Sequence, residues 1–122
     1  MLKSFKDLQI LQKSYTLSLD IYEATSNFPA SEVYGLTAQI RRAAVSIPSN
    51  IAEGYSRGHT AEYVRFVNLA YGSLAELQTQ LMLARDLGYL EQSVYEKIAS
   101  QYEDLEHMLS ALMRGLKGKE SH

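Results

Sequence analysis

The chain has no cysteine, no tryptophan and only two prolines in 122 residues. Without cysteine there is no disulfide framework, no thiolate metal site and no redox chemistry at sulfur. With so little proline, and seven glycines spread along the sequence, the punctuation needed for many short strands and turns is missing. No apolar run approaches the roughly 20 residues of a membrane-spanning helix. The opening stretch MLKSFKDLQILQKSYTL also lacks the apolar core of a secretory signal, so a cytoplasmic location without membrane contact is expected. Strong charge of one sign is absent as well. A net charge of -2 gives no global attraction to nucleic acid or anionic lipid, so any such binding must come from a local patch. There is no Gly-rich phosphate loop, no Ser/His/Asp set and no aromatic strand platform. No catalytic residues, cofactor or small-molecule substrate are therefore expected, and the chain reads as a non-enzyme.

What is present is ordinary for a globular domain: 46% hydrophobic residues and 21% charged ones, in a length that suits one domain over 1–122. Three breaks divide it, at Asn27-Phe28-Pro29, at Ser56 to Thr60 and at Gly88-Tyr89-Leu90. They predict helices over 7–27, 31–56, 60–87 and 91–115, with a fraying tail over 116–122. Short connections make sequential helices antiparallel neighbours. The expected architecture is all-α, an up-and-down antiparallel four-helix bundle. Ser31 is the predicted N-cap of the second helix and Thr60 that of the third, and Gly88 is a natural left-handed stop.

The first helix shows two apolar stripes, Leu8, Leu11, Tyr15, Leu19 and Tyr22 beside Ile10, Leu17, Ile21 and Ala24. So wide an apolar arc implies more than one contact surface. The third helix repeats Tyr63, Val67, Ala70, Leu74, Leu77, Leu81 and Ala84 in steps of four and three, the rhythm of a bundle seam. Gly72 within it suggests close approach of another backbone. The fourth carries Val94, Ile98, Leu105, Met108 and Leu112 at core spacing, interrupted by Gln101.

Tyr34 to Arg57 carries the most information. Leu36, Ile40, Ala43, Ala44, Ile47, Ile51 and Gly54 fall on one narrow helical face straight through Pro48. An interior proline lacks an N–H and clashes with the turn before it, so a kink at Pro48 is expected, with Ser46, Ser49 or Asn50 satisfying the freed carbonyl. Ala38, Val45, Pro48 and Ala52 form a further strip of small, largely apolar groups pointing away from the core. A solitary bundle normally leaves such a strip charged, so these four residues are candidates for an interface between copies of the chain.

Several polar groups invite chemistry. Arg41, Arg42, Arg57 and Arg65 oppose only Glu53 and Glu62 in their span, which makes that span basic while the remainder is acidic. Assembled side by side in an oligomer, they would bind phosphates of RNA or DNA; alternatively, they pair with Glu53 or a helix end and only solvate the surface. Asn50 and Glu53 sit one turn apart beside Arg57. A tuned carboxylate is one reading, and a structural polar motif around Pro48 or at a subunit boundary is the simpler one. Asp104 and His107 in EDLEH have the i, i+3 spacing of half a di-iron motif, but no matching half exists, so no metal is expected.

The segments IYEATSNFP, YGLTAQIRRAAVSIPSNIAEGYSRG, FVNLAYGSLAELQTQL and LGYL together resemble the four-helix-bundle family encoded in intervening sequences of bacterial 23S ribosomal RNA genes. The resemblance covers nearly the whole chain. It implies a cytoplasmic up-and-down bundle and a likeness to the accessory variability determinant proteins of diversity-generating retroelements. Those relatives form homopentamers whose basic surface engages nucleic acid and a reverse transcriptase. By that likeness the expected partners are the chain itself, as a pentamer, and RNA, DNA or a nucleic-acid enzyme. The present chain departs from those basic relatives in being mildly acidic. A purely structural, protein-interaction oligomer without nucleic-acid binding is the other function kept open.

Overall fold

The computed structural model describes residues 5–120, and the side chains of residues 7–118. Four α-helices follow one another: α1 (Phe5–Thr25), α2 (Leu36–Ser56), α3 (Thr60–Asp86) and α4 (Gln92–Glu120), with one 3-10 turn at Ala30–Glu32. Each helix packs on its sequence neighbours, α4 returns to pack on α1, and the backbones of the diagonal pairs stay apart. Cross-helix bonds run antiparallel, from Ser18–Ala44 to Thr25–Arg41 between α1 and α2 and from Tyr71–Ser110 to Gln78–Glu106 between α3 and α4. The architecture is the expected all-α four-helix bundle.

The core follows the sequence period closely on two helices. Every residue of the narrow α2 face, Leu36 to Gly54, is buried, and so is every residue of the α3 seam from Tyr63 to Ala84. At Gly54 the two helices approach closely. A Cβ placed there would lie 2.9 Å from Phe66 Cβ and 2.9 Å from Tyr63 Cδ1. Gly72, expected to serve that purpose, meets nothing within 4 Å. On α4 the buried line is Tyr95, Ile98, Tyr102, Leu105, Leu109 and Leu116, while Val94, Met108 and Leu112 pack on its flank.

The ends of the helices correct the sequence reading in three places. Thr60 is not the N-cap of α3 but its first residue, and His59 holds the N-cap position in extended conformation without a side-chain cap. Ser31 does not cap α2: Pro29 fixes φ at -55° and opens the 3-10 turn instead, and α2 begins only after Gly35. Glu32 supplies the missing acceptor there, taking the Leu36 N–H on Oε1 at 3.1 Å and the Tyr89 hydroxyl on Oε2 at 3.0 Å. The predicted fraying over 116–122 is also displaced, since α4 continues to Glu120 and Leu116 is buried; residues 121 and 122 lie outside the described residues. Gly88, at φ 81°, ends α3 as expected. The Gly88 N–H reaches the Arg85 carbonyl and the Tyr89 N–H the Ala84 carbonyl, both at 3.0 Å, which is the Schellman arrangement.

Candidate interaction surface

The helix α2 runs unbroken through Pro48. A proline there leaves the carbonyl of Ala44, four residues back, without its helical donor. The donor comes from another helix. Ser18 Oγ on α1 donates to Ala44 O at 3.0 Å, and lies 3.1 Å from Ser14 O in its own helix. The sequence reading placed that donor at Ser46, Ser49 or Asn50. Asn50 Nδ2 in fact donates to Ser46 O at 2.8 Å and to Ser46 Oγ at 2.9 Å, and Ser46 Oγ bonds Ser73 Oγ at 2.7 Å. Asn50 thus braces Ser46, whose hydroxyl ties α2 to α3, whereas Pro48 is accommodated by α1.

With the proline served from inside, its ring is left on the outer surface, in a groove between α1 and α2. Leu11, Tyr15, Ser18, Leu19 and Tyr22 line one wall, and Val45, Pro48, Ser49 and Ala52 the other, with no Asp, Glu, Lys or Arg among them. Tyr15 is 60% exposed, Leu19 56%, Tyr22 45% and Val45 39%. Of the first α1 stripe, Tyr15, Leu19 and Tyr22 face outward while Leu11 packs against the core. The side of α1 turned to the core carries Ile10, Ser14, Leu17, Ser18, Ile21 and Thr25. Three of these are hydroxyl residues whose groups bond back to carbonyls three or four positions earlier, which lets them be buried like small apolar groups. Of the four interface candidates, Val45, Pro48 and Ala52 line the groove, and Ala38 lies further along α2, half-buried.

The four candidate arginines do not converge within one chain. Arg41 closes α1: its Nε donates to Thr25 Oγ1 at 2.8 Å and its Nη2 to the Tyr22 carbonyl at 3.2 Å. Its guanidinium also lies 4.5 Å from the Tyr22 ring centroid. A cation is stabilising at that end, where helix carbonyls lack partners. Arg57 pairs with Glu53 at 3.0 Å and Arg65 with Glu62 at 3.1 Å, and both guanidinium groups flank the Phe66 ring, at 5.1 Å and 4.5 Å. The Arg65 hydrogen bond holds the Glu62 carboxyl below the usual carboxylate range. Arg42 stands apart in a polar cleft between α2 and α3, beside Gln39, Ser46, Ser73, Glu76 and Gln80.

Other polar groups brace the bundle. Asp7, almost fully buried, accepts the Tyr63 hydroxyl at 3.2 Å across the diagonal from α1 to α3. Tyr63 stacks on Tyr55 with ring centroids 5.1 Å apart. Burial first, and the Asp7 charge next, push the Tyr63 hydroxyl far above the ordinary phenol range. In the EDLEH run Asp104 pairs with Lys13 at 3.6 Å, and Glu106 accepts from Tyr71 and Gln78. Among the described residues no group of three or more His, Cys, Asp or Glu is placed to hold a metal ion, and no helix is long and apolar enough to cross a membrane.

Residues 6–111, which span all of α2 and α3 and most of α1 and α4, match the family described as 23S rRNA-intervening sequence protein. The chain belongs to that family. Its bundle is also similar to the crystal structure of a protein with unknown function from the S23 ribosomal protein family of Bacteroides thetaiotaomicron VPI-5482. The TM-score is 0.83 at 22% identity, over 90% of this chain and 99% of that one. At that identity the likeness concerns the fold. No curated protein matches the chain.

Proposed function

We propose that this member of the 23S rRNA-intervening sequence protein family is a non-enzymatic, self-associating bundle, a scaffold assembled from copies of itself through the α1–α2 groove. The observation that carries this reading is the groove itself. Two aromatic and two aliphatic side chains there are 39–60% exposed along a strip without a charged residue, and charge depletion with aromatic enrichment marks the centre of protein interfaces. A pentamer, as in the retroelement accessory proteins that the sequence resembles, is the specific form of assembly proposed. Of the two functions, the protein-interaction scaffold has the better support. Arg41, Arg57 and Arg65 are each engaged within their own chain, and the net charge is -2, so little positive field is left for phosphates.

Light scattering of the purified protein should give a mass several times that of one chain. Val45→Glu should reduce it to one chain while helical content by circular dichroism stays unchanged; an unaltered mass overturns the groove as the contact. Titration with mixed-sequence RNA and DNA over a salt series separates the two functions. Binding that weakens steeply with salt returns the arginines to the role of phosphate ligands.

A further inference from the structure

The flank of α2 turned to α3 holds a second cleft, of about 340 Å³, and this one is polar. Ser46 meets Ser73, and Gly54 lies against Tyr63 and Phe66, so the two helices run antiparallel and their facing residues form rungs. With Ser46 and Ser73 on one rung and a rise of about 1.5 Å per residue, Arg42 and Glu76 share the next level to within about 2 Å, and Gln39 and Gln80 the one after it. The first rung is closed, since the two serine hydroxyls bond each other and Asn50 Nδ2 adds a bond to Ser46 Oγ. The second rung is open. Arg42 and Glu76 line the same cleft with opposite charges, yet neither side chain has an ion-pair or hydrogen-bond partner among the described residues. On the third rung the Gln80 amide oxygen is buried and accepts no hydrogen bond. Ala43, on the same side of α2, adds only a methyl group to the wall.

We propose that this cleft binds a small free α-amino acid, with its carboxylate on the Arg42 guanidinium and its ammonium between the Glu76 carboxylate and Gln80 Oε1. The charge on the cleft decides the class of ligand. One arginine and one glutamate at the same level cancel, so an anion drawn to Arg42 is repelled by Glu76, and a cation drawn to Glu76 is repelled by Arg42. A molecule with both charges is attracted at both ends. An α-amino acid holds its two charged groups on one carbon atom, which suits two protein groups that face each other without meeting. The guanidinium fork matches a carboxylate with two parallel N–H bonds. The ammonium has three donors, enough for Glu76 and for the Gln80 oxygen, whose burial without a donor is otherwise unfavourable. No ion pair has to be broken for the ligand to enter, in contrast to Arg57 and Arg65, which are held by Glu53 and Glu62. A cleft near the lower end of the roughly 300–1,000 Å³ range of ligand sites takes a compact molecule. The site lies within one chain and on the other flank of α2 from the apolar groove, so it goes beyond self-association and does not depend on it.

The test is saturation-transfer NMR of the full chain titrated with L-alanine. Saturable binding with a Kd of about 1 mM or tighter is expected for a small ligand held by two charge-assisted contacts. N-acetylalanine, which lacks the ammonium, and alaninamide, which lacks the carboxylate, should each compete about 10-fold more weakly or worse. Arg42 and Glu76 are exposed, so Arg42→Gln and Glu76→Gln should keep their helicity by circular dichroism, and each should raise the Kd about 10-fold or more. Should either lose helicity, Gln80→Leu, which removes the buried acceptor, takes its place with the same expected direction. Val45→Glu, in the apolar groove, should bind alanine as the parent does, whether or not it disperses. No saturable binding up to about 10 mM overturns the proposal. So does an unchanged Kd in Arg42→Gln or Glu76→Gln, or a singly charged analogue that competes as well as alanine. Binding lost in Val45→Glu also overturns it, because the site would then lie between copies and not in the cleft of one chain.

Discussion

The two flanks of α2 are joined to the bundle in opposite ways. Toward α3 the joint is tight at its Gly54 end, where the missing side chain lets Tyr63 and Phe66 reach the helix backbone, with atoms 2.9 Å from where a Cβ would sit. Toward α1 the joint is open on its outer side. Helices α1 and α2 are clipped by Ser18 on Ala44 O and by Arg41 on Thr25, and outside these clips their apolar side chains splay into the groove. The difference shows how one short helix serves two purposes. Contact through an absent side chain leaves no room for anything else, while contact through hydroxyls holds two backbones in register and leaves neighbouring apolar groups available to a further copy.

The largest effect should come from closing the space on the tight flank. Gly54→Ala forces the Phe66 and Tyr63 side chains away and should cost about 1–3 kcal/mol, by the usual penalty for overpacking, read as a lower urea midpoint with unchanged slope. A neutral result would mean that the tight joint yields freely and that the contrast between flanks is empty. Next comes the clip on the open flank. Ser18→Ala leaves the buried Ala44 carbonyl without that donor and should cost about 1–3 kcal/mol. In a Pro48→Ala background, where a backbone N–H is available again, the same change should cost clearly less. Equal costs in both backgrounds would show that Ser18 does not serve the proline. The smallest effect has the opposite sign. Gly72→Ala, with nothing within 4 Å of the added carbon, should raise the stability of a dispersed variant such as Val45→Glu by about 1 kcal/mol, the helix-propensity difference. A fall in its melting temperature would place an unrecognised close contact there.

How much of this was readable beforehand depends on the helix. On α2 and α3 every position picked out by the apolar period is buried, because nearly every inward position is aliphatic, aromatic or small, though Thr37, Tyr55, Val64 and Phe66 are buried beside them. On α1 the same rule left the choice open. Tyr15, Leu19 and Tyr22 are apolar and exposed, while Ser14, Ser18 and Thr25 are polar and buried. A hydroxyl that bonds its own helix costs little to bury, and composition cannot reveal that it has done so. Two stripes were visible, but which one met the core depended on the contacts with α2 and α4. The candidate surface was half legible for the same reason. Val45, Pro48 and Ala52 stood out by spacing, while the α1 wall facing them was visible only as one of two apolar stripes. The donor for Ala44 lay 26 residues away, beyond the reach of any local pattern. The arginines were visible as a cluster in sequence, yet helical geometry sends Arg41 to one end of the bundle and Arg57 with Arg65 to the other.

The Glu32 carboxylate has a mechanical consequence. By gripping the first backbone N–H of α2 and the phenol of Tyr89 at once, it stitches together the chain crossings that join α1 to α2 and α3 to α4. Strain applied to one crossing is passed directly to the other. At the opposite pole a Cβ on Gly58 would meet nothing within 4 Å, so added residues or a fused tag are best inserted there, and the Tyr34 end is the one to leave alone.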